Sequence, residues 1–290
     1  MKTIGQISNI FSHDNYISGG DKISNYFFCC ESDKDNVGVG FSKNEFQLHF
    51  SPNGLKYYLI VMYLRKRFDQ FGQVTMALND LLNECGYSSK THNKAIYDDF
   101  RCIISDYILY KGFATCDKDI YKVVPSTYFK LQLNQSKCIF LTDDPFVFIS
   151  IREFEKIVQY KGGVKKATLF GVYIYIKQFI QADDVDVGKI AFPSKKSIAK
   201  AIESTTKTVE SALSILEKLK LIYIVTGLYI EDKSNKGTYV STRNGYAINK
   251  EFANVETFKN ELSKFYGVPV FERCEVAGKI RYIKNKKMED

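Results

Sequence analysis

The 290-residue sequence contains no tryptophan, only three histidines, and no stretch that approaches eighteen consecutive apolar residues. The missing apolar run argues against a membrane-spanning helix. The opening "MKTIGQISNIFSHDNYISGG" also lacks the basic start and continuous apolar segment of a secretory signal. A cytoplasmic protein with no membrane partner is therefore expected. His13, His49 and His92 are too widely separated for metal-ligand spacing, and the seven cysteines, an odd number, contain no C-x-x-C pair. Neither a disulfide framework nor a zinc site is indicated, so the cysteines are expected to be reduced and mostly buried.

The same absences remove several enzyme classes. No G-x-x-x-x-G-K-[ST] loop exists for a P-loop hydrolase, and "KGGVKK" (161–166) is a glycine turn with lysines. None of the 20 tyrosines has the His-hydrophobic-His companion of a rolling-circle nicking enzyme. Asp184 and Asp186 have a D-x-D spacing that can hold Mg²⁺. They fall between a predicted helix and a short strand, where an acidic loop needs no metal. The expectation is a non-enzymatic protein with no cofactor.

What is present points to a polyanion. Lys and Arg number 41 against 33 Asp and Glu, a net charge of +8, and the length suits two domains of ordinary size, each with its own core. The most informative stretch is "PSKKSIAKAIESTTKTVESALSILEKLKLIYI", residues 193–224. Ser194 is placed to cap a helix whose stripe is Ile198, Ala199 and Ile202. After a break at Glu203 and Ser204, Thr205 or Thr206 can cap a second helix with Val209, Ala212, Leu213, Leu216 and Leu219 on its buried side. Its other side carries Lys207, Thr208, Glu210, Ser211 and Ser214, concentrated in the first two turns, where a recognition helix meets base edges.

Two β-rich runs follow, "LIYIVTGLYI" (221–230) and "GTYVSTRNGYAI" (237–248), separated by "EDKSNK". Helix, helix, hairpin is the order of a winged helix. Lys233, Asn235 and Lys236 fall at the hairpin tip with Arg243 nearby, suited to phosphates or a minor groove. Lys195 and Lys196, in the first turn of the earlier helix, complete the candidate set.

The order repeats upstream. "FSKNEF" (41–46) resembles "ISIREF" (149–154), with Ser42 matching Ser150 at a shift of 108. A long apolar helix follows each, then an extended segment and a short helix. "GYSSKTHNKAIYDDFRCIISDYILYKGF" (86–113) then stands where the second pair of elements stands downstream, with Leu109 matched to Ile222. Ile96, Phe100, Ile103 and Ile104 form its stripe, which leaves Lys90, Thr91, His92, Asn93, Lys94, Tyr97 and Arg101 outside. "FATCDKDIYKVVP" reads as a shorter wing with Lys118 at its tip.

The 193–222 motif resembles the winged-helix signature of replication proteins of plasmids, phages and other mobile elements, including RepA-type initiators and DnaD-like replisome organisers. The resemblance covers element order over about residues 41–250. It implies double-stranded DNA as partner, host replication proteins as further partners, and DNA-contacting roles for Thr206, Lys207, Thr208, Glu210 and Ser211, and for Lys90, Thr91, Asn93 and Lys94. A homodimer is left open.

The expected fold is thus α+β, two tandem winged-helix domains. An N-terminal arm spans 1–40, the first domain 41–125, a bridge 126–146, the second domain 147–250, and a C-terminal helix capped by Gly267 with a basic tail 251–290. The expected function is sequence-specific duplex binding in replication initiation. The alternatives are a transcriptional regulator of a mobile element or a winged-helix interaction scaffold.

Overall fold

Two helices that are apolar on nearly every side form the middle of the molecule. In the computed structural model, which describes residues 25–30, 37–42, 54–69, 71–88, 94–134, 146–180 and 188–280, these are α1 (Gly54–Arg67) and a later helix, Lys166–Lys177. Leu55 and Tyr57 to Leu64 are buried on α1, as are Leu169 to Ile174 on the second helix. A helix without a polar face must be enclosed by other elements, and these two pack on each other. Gly171 makes the contact close, because a Cβ there would stand 2.6 Å from Leu55 Cδ2.

Around this pair the same succession occurs twice. After α1 come β3 (Gln73–Met76), α2 (Leu78–Glu84), α3 (Lys94–Ile103) with a π-helical continuation to Leu109, β4 (Ala114–Cys116) and β5 (Phe129–Leu133). Ahead of them stand β1 (Asn25–Cys30) and β2 (Val37–Ser42). The later set opens with β6 (Phe146–Ser150), α4 (Ile151–Gln159) and α5 (Lys166–Lys177). It continues with β7 (Ile190–Ala191), α6 (Lys195–Ala201), α7 (Thr206–Lys218), β8 (Tyr223–Val225), β9 (Leu228–Glu231), β10 (Tyr239–Ser241) and β11 (Gly245–Ala247). Finally α8 (Val255–Tyr266) and β12 (Val270–Glu272) close the chain. The chain is α+β, with eight helices and small antiparallel sheets among the described residues.

In both sets the last strand enters the sheet between the other two, in the orders β3-β5-β4 and β7-β11-β8. Leu131 thus faces Val74 and Cys116, and Tyr246 faces Ala191 and Ile224. The helix ends also correspond. After α2, Gly86 is left-handed, Gly86 N–H bonds Asn83 O and Tyr87 N–H bonds Leu82 O; after α6, Glu203 takes that place, with Ser204 N–H on Ala199 O. Gly112 and Lys220 are left-handed in the same way after the two longer helices. This is the Schellman arrangement, which satisfies carbonyls that the helix leaves unpaired.

Several expectations are corrected. The strand Phe129–Leu133, expected in the bridge, is the centre of the first three-stranded sheet. Leu109 ends the π-helical turn while Ile222 leads directly into β8, so the place of Lys220 is held by Gly112 and not by Tyr107, which the match of Leu109 to Ile222 would put there. The run 221–230 divides into β8 and β9 at Gly227, whose φ is +89°. Of Cys85, Cys102, Cys116 and Cys274, Cys85 alone is buried, and Cys102 and Cys274 are exposed.

The two sets do not bury separate cores. One hydrophobic cluster runs from Leu55, Phe100 and Leu131 through Phe154 and Phe170 to Val209 and Leu216. A smaller one joins β7, β8 and β11 to Phe258 and Leu262 of α8. The strand pairing β2–β6 joins the sets again, placing Gly40 opposite Phe148 at the shift of 108 that relates Ser42 to Ser150. Ser150 caps α4 by accepting from Glu153 N–H at 3.2 Å, and the Glu153 carboxylate accepts in return from Ser150 N–H at 2.7 Å. The matching positions after Ser42 lie outside the described residues.

Candidate nucleic-acid interface

The α6–α7 corner is built from short polar side chains used as caps. Ser194 Oγ accepts from Ser197 N–H at 3.0 Å, and Thr205 Oγ1 accepts from Thr208 N–H at 3.1 Å. Each satisfies one of the amides that a helix start leaves unpaired. Thr205, not Thr206, is therefore the cap of α7. Between the helices only Ile202, Glu203, Ser204 and the cap Thr205 remain, with Glu203 left-handed, which turns the chain from α6 into α7. Val209, Ala212, Leu213, Ile215 and Leu216 anchor α7 in the core, so its remaining side faces water.

That outer side differs in detail from the expected one. Thr206 and Lys207 are exposed, and Lys207 has no ion-pair partner among the described residues. The Thr208 hydroxyl lies 2.8 Å from Thr205 Oγ1, and Ser211 Oγ donates to Lys207 O at 3.1 Å, so both hydroxyls are satisfied within the helix start. Lys195 donates to Glu210 Oε1 at 2.8 Å. This hydrogen bond and the ammonium charge hold the Glu210 carboxyl below its ordinary range. The pair removes the isolated negative charge that Glu210 would otherwise present, and it occupies Lys195. Lys196 is exposed.

The β9–β10 hairpin pairs Glu231 with Tyr239 and Ser241 with Tyr229. Its tip is folded by its own bonds. Asp232 Oδ1 accepts from Ser234 N–H at 2.9 Å, Glu231 Oε1 from Gly237 N–H at 2.7 Å, and Thr238 Oγ1 donates to Asn235 O at 2.6 Å. Lys233 and Lys236 are exposed there without an ion-pair partner among the described residues. Arg243 is also exposed, at the break between β10 and β11 and not at the tip.

The earlier set offers less. Lys90, Thr91 and Asn93 lie outside the described residues; Lys94 is the exposed first residue of α3. Two residues expected outside point inward: Tyr97 is buried with its hydroxyl donating to Asn79 Oδ1 at 2.7 Å, and Arg101 donates to Val123 O at 2.7 Å and to Asp98 at 2.8 Å. Asp99 pairs with Lys56. Lys118 donates to Tyr128 O at 2.5 Å, so it is held against the chain and not presented at a tip.

Sequence reasoning missed the role of the C-terminal segment. β12 pairs with the outer edge of β9, and on the other side Tyr239 N–H donates to Lys279 O at 3.0 Å, so both edges of the β9–β10 hairpin are covered. A three-residue strand carries too short a pattern to be read as one. Among the described residues no group of three or more His, Cys, Asp or Glu could hold a metal ion, and no helix is long and apolar enough to cross a membrane. In comparisons with known proteins, no family model matches the chain and no curated protein matches it.

Proposed function

We propose that this chain binds double-stranded DNA in a sequence-specific manner through winged-helix units arranged in tandem, and that it does so as a replication initiator of a mobile element. The observation that carries the reading is an order found in both sets: helix, strand, helix, helix, then strands of which the last lies central in a three-stranded sheet, with the β9–β10 hairpin inserted before that last strand in the later set. In the later set, α7 takes the place of a recognition helix and the β9–β10 hairpin that of a wing. Thr206 and Lys207 supply donors at the start of α7 and Lys196 at the start of α6, and Lys233, Lys236 and Arg243, without an ion-pair partner among the described residues, supply cations for phosphates.

Selection of binding sites from random duplexes with the purified chain tests the reading. A recovered consensus, bound at least about a thousandfold more tightly than scrambled DNA, supports specific recognition. Recovery of no consensus sinks it. The initiator role is tested separately by whether direct repeats beside the encoding gene contain that consensus.

A further inference from the structure

Away from the outer side of α7, a cavity of about 480 Å³ opens between the end of α5, the β7–α6 link, α8 and the β10–β11 break. Four aromatic rings line it, those of Tyr175, Phe179, Phe192 and Phe265. Tyr175 and Phe179 meet edge-on with centroids 5.3 Å apart, and Phe192 and Phe265 lie 5.6 Å apart. Phe192 is braced from behind by the buried ring of Phe258, stacked at 5.8 Å. Phe179 and Phe265 nevertheless remain 48% and 56% exposed. Leaving two phenyl rings in water at one opening is unfavourable unless something covers them.

Among the described residues, the charge at this opening is one-sided. Arg243 and Lys264 line the cavity, are exposed, and have no ion-pair partner among the described residues. The one carboxylate in the lining, Glu261, is buried and accepts from the backbone N–H groups of Gly188 at 3.0 Å and Lys189 at 3.4 Å. It is therefore directed to the backbone and, among the described residues, leaves both cations uncompensated. An aliphatic ligand would make no use of the cations, and an inorganic anion would make no use of the rings. A nucleotide uses both, since a base has a flat π-face for aromatic side chains and its phosphate matches a guanidinium and an ammonium. The volume is within the range of about 300–1,000 Å³ typical of small-molecule sites.

We propose that this cavity is a nucleotide site, holding a base against its aromatic rings and the attached phosphate on Arg243 and Lys264. The nucleotide comes either from solution or from a nucleic-acid strand as an unpaired residue. The site shares Arg243 with the duplex-phosphate set proposed above, but its rings and Lys264 belong to neither α7 nor the β9–β10 tip, so it stands whether or not the duplex contacts of α7 and of Lys233 and Lys236 are made.

The test titrates the full chain by calorimetry with adenosine monophosphate and, separately, with a single-stranded oligonucleotide of mixed sequence. The Phe179→Ala/Phe265→Ala double variant and Lys264→Glu are titrated in parallel, each checked for an unchanged melting temperature. At least one probe is expected to bind with Kd below about 1 mM. Each variant is expected to weaken it about tenfold or more. Binding of the monophosphate assigns the site to free nucleotide; binding of the oligonucleotide alone assigns it to a strand. If neither probe binds, or if binding ignores both the ring and the charge substitutions, the proposal is wrong. Loss of duplex binding in a Lys207→Ala variant that still takes these probes bears on the recognition helix and not on the cavity.

Discussion

Replacing Lys233 and Lys236 together by alanine isolates the wing from everything else that touches DNA in this reading. Neither ammonium takes part in the bonds that fold the tip, which run through Asp232, Glu231, Thr238 and the backbone. The turn should survive, with an unchanged melting temperature. Each phosphate contact contributes a slope of about −0.9 to a plot of log K against log salt, through release of condensed counterions. Losing two flattens that slope by about 1.8. Between about 50 and about 200 mM salt the affinity gap between wild type and variant therefore narrows about tenfold. Fluorescence anisotropy with the selected duplex and a scrambled one measures both quantities. The two duplexes should lose affinity equally, because phosphates carry no sequence information. If slope and affinity stay as in the wild type, the tip points away from DNA and the wing assignment fails.

Three further outcomes follow from named contacts. Glu210→Gln should release Lys195 toward phosphate, tightening duplex binding at low salt and steepening the slope by about 0.9; an unchanged slope and affinity in the same anisotropy assay would show the pair to lie off the interface. Lys220→Gly should raise stability in urea by up to about 1 kcal/mol, because a left-handed side chain costs about 1–2 kcal/mol and glycine returns roughly 0.5–1 in entropy. Glu153→Ala should lower stability at neutral pH by about 2 kcal/mol, less than a fully enclosed pair would cost, since it strands Lys177, whose Nζ donates to Glu153 at 2.7 Å, and leaves the Tyr173 hydroxyl without its acceptor. Burial pushes Glu153 up, but Lys177, Tyr173 and Ser150 N–H outweigh it and hold the carboxyl below its ordinary value of 4.5. The wild-type advantage is therefore complete above that value and disappears as pH falls through the lower folded one, which denaturation at graded pH measures.

Local chemistry was the legible part of this chain. Ser194 as a cap, the stripe of Val209, Leu213 and Leu216, and Gly267 in a left-handed C-terminal position all follow from spacing and residue type, and the structure has them. What stayed hidden depends on partners from other elements. Tyr97 and Arg101 look like surface residues on a periodic helix, but they bend inward because Asn79 and the Val123 carbonyl lie within reach. Lys195 and Glu210 stand on different helices, and only the turn at Glu203 brings them together. The cavity is assembled from four segments, none of which has an aromatic pattern distinguishable from core by itself.

The shared core changes how the two sets can be told apart. Removing the first set would strip Leu55 from Gly171 and leave the apolar side of α5 in water, so a fragment beginning near residue 130 would report on folding and not on DNA. Point substitutions in the full chain avoid this. Backbone correspondence has been kept at Gly86 and Glu203 and at Gly112 and Lys220, yet the charges have diverged. The polar residues of α3 are drawn into Asp98–Arg101, Lys56–Asp99 and Tyr97–Asn79 contacts, with Lys94 as its exposed cation, whereas the later set exposes Lys207, Lys233, Lys236 and Arg243. Duplex reading should therefore fall mainly on α7. Lys207→Ala is expected to cost about fivefold or more on the selected site, the lower end of one lost base contact. Lys94→Ala should cost less than about threefold, since it removes at most one contact to a phosphate. Equal losses from the two substitutions, measured on the same duplex at the same salt, would mean that both sets read DNA and that the divergence of their charges has no bearing on the division of labour.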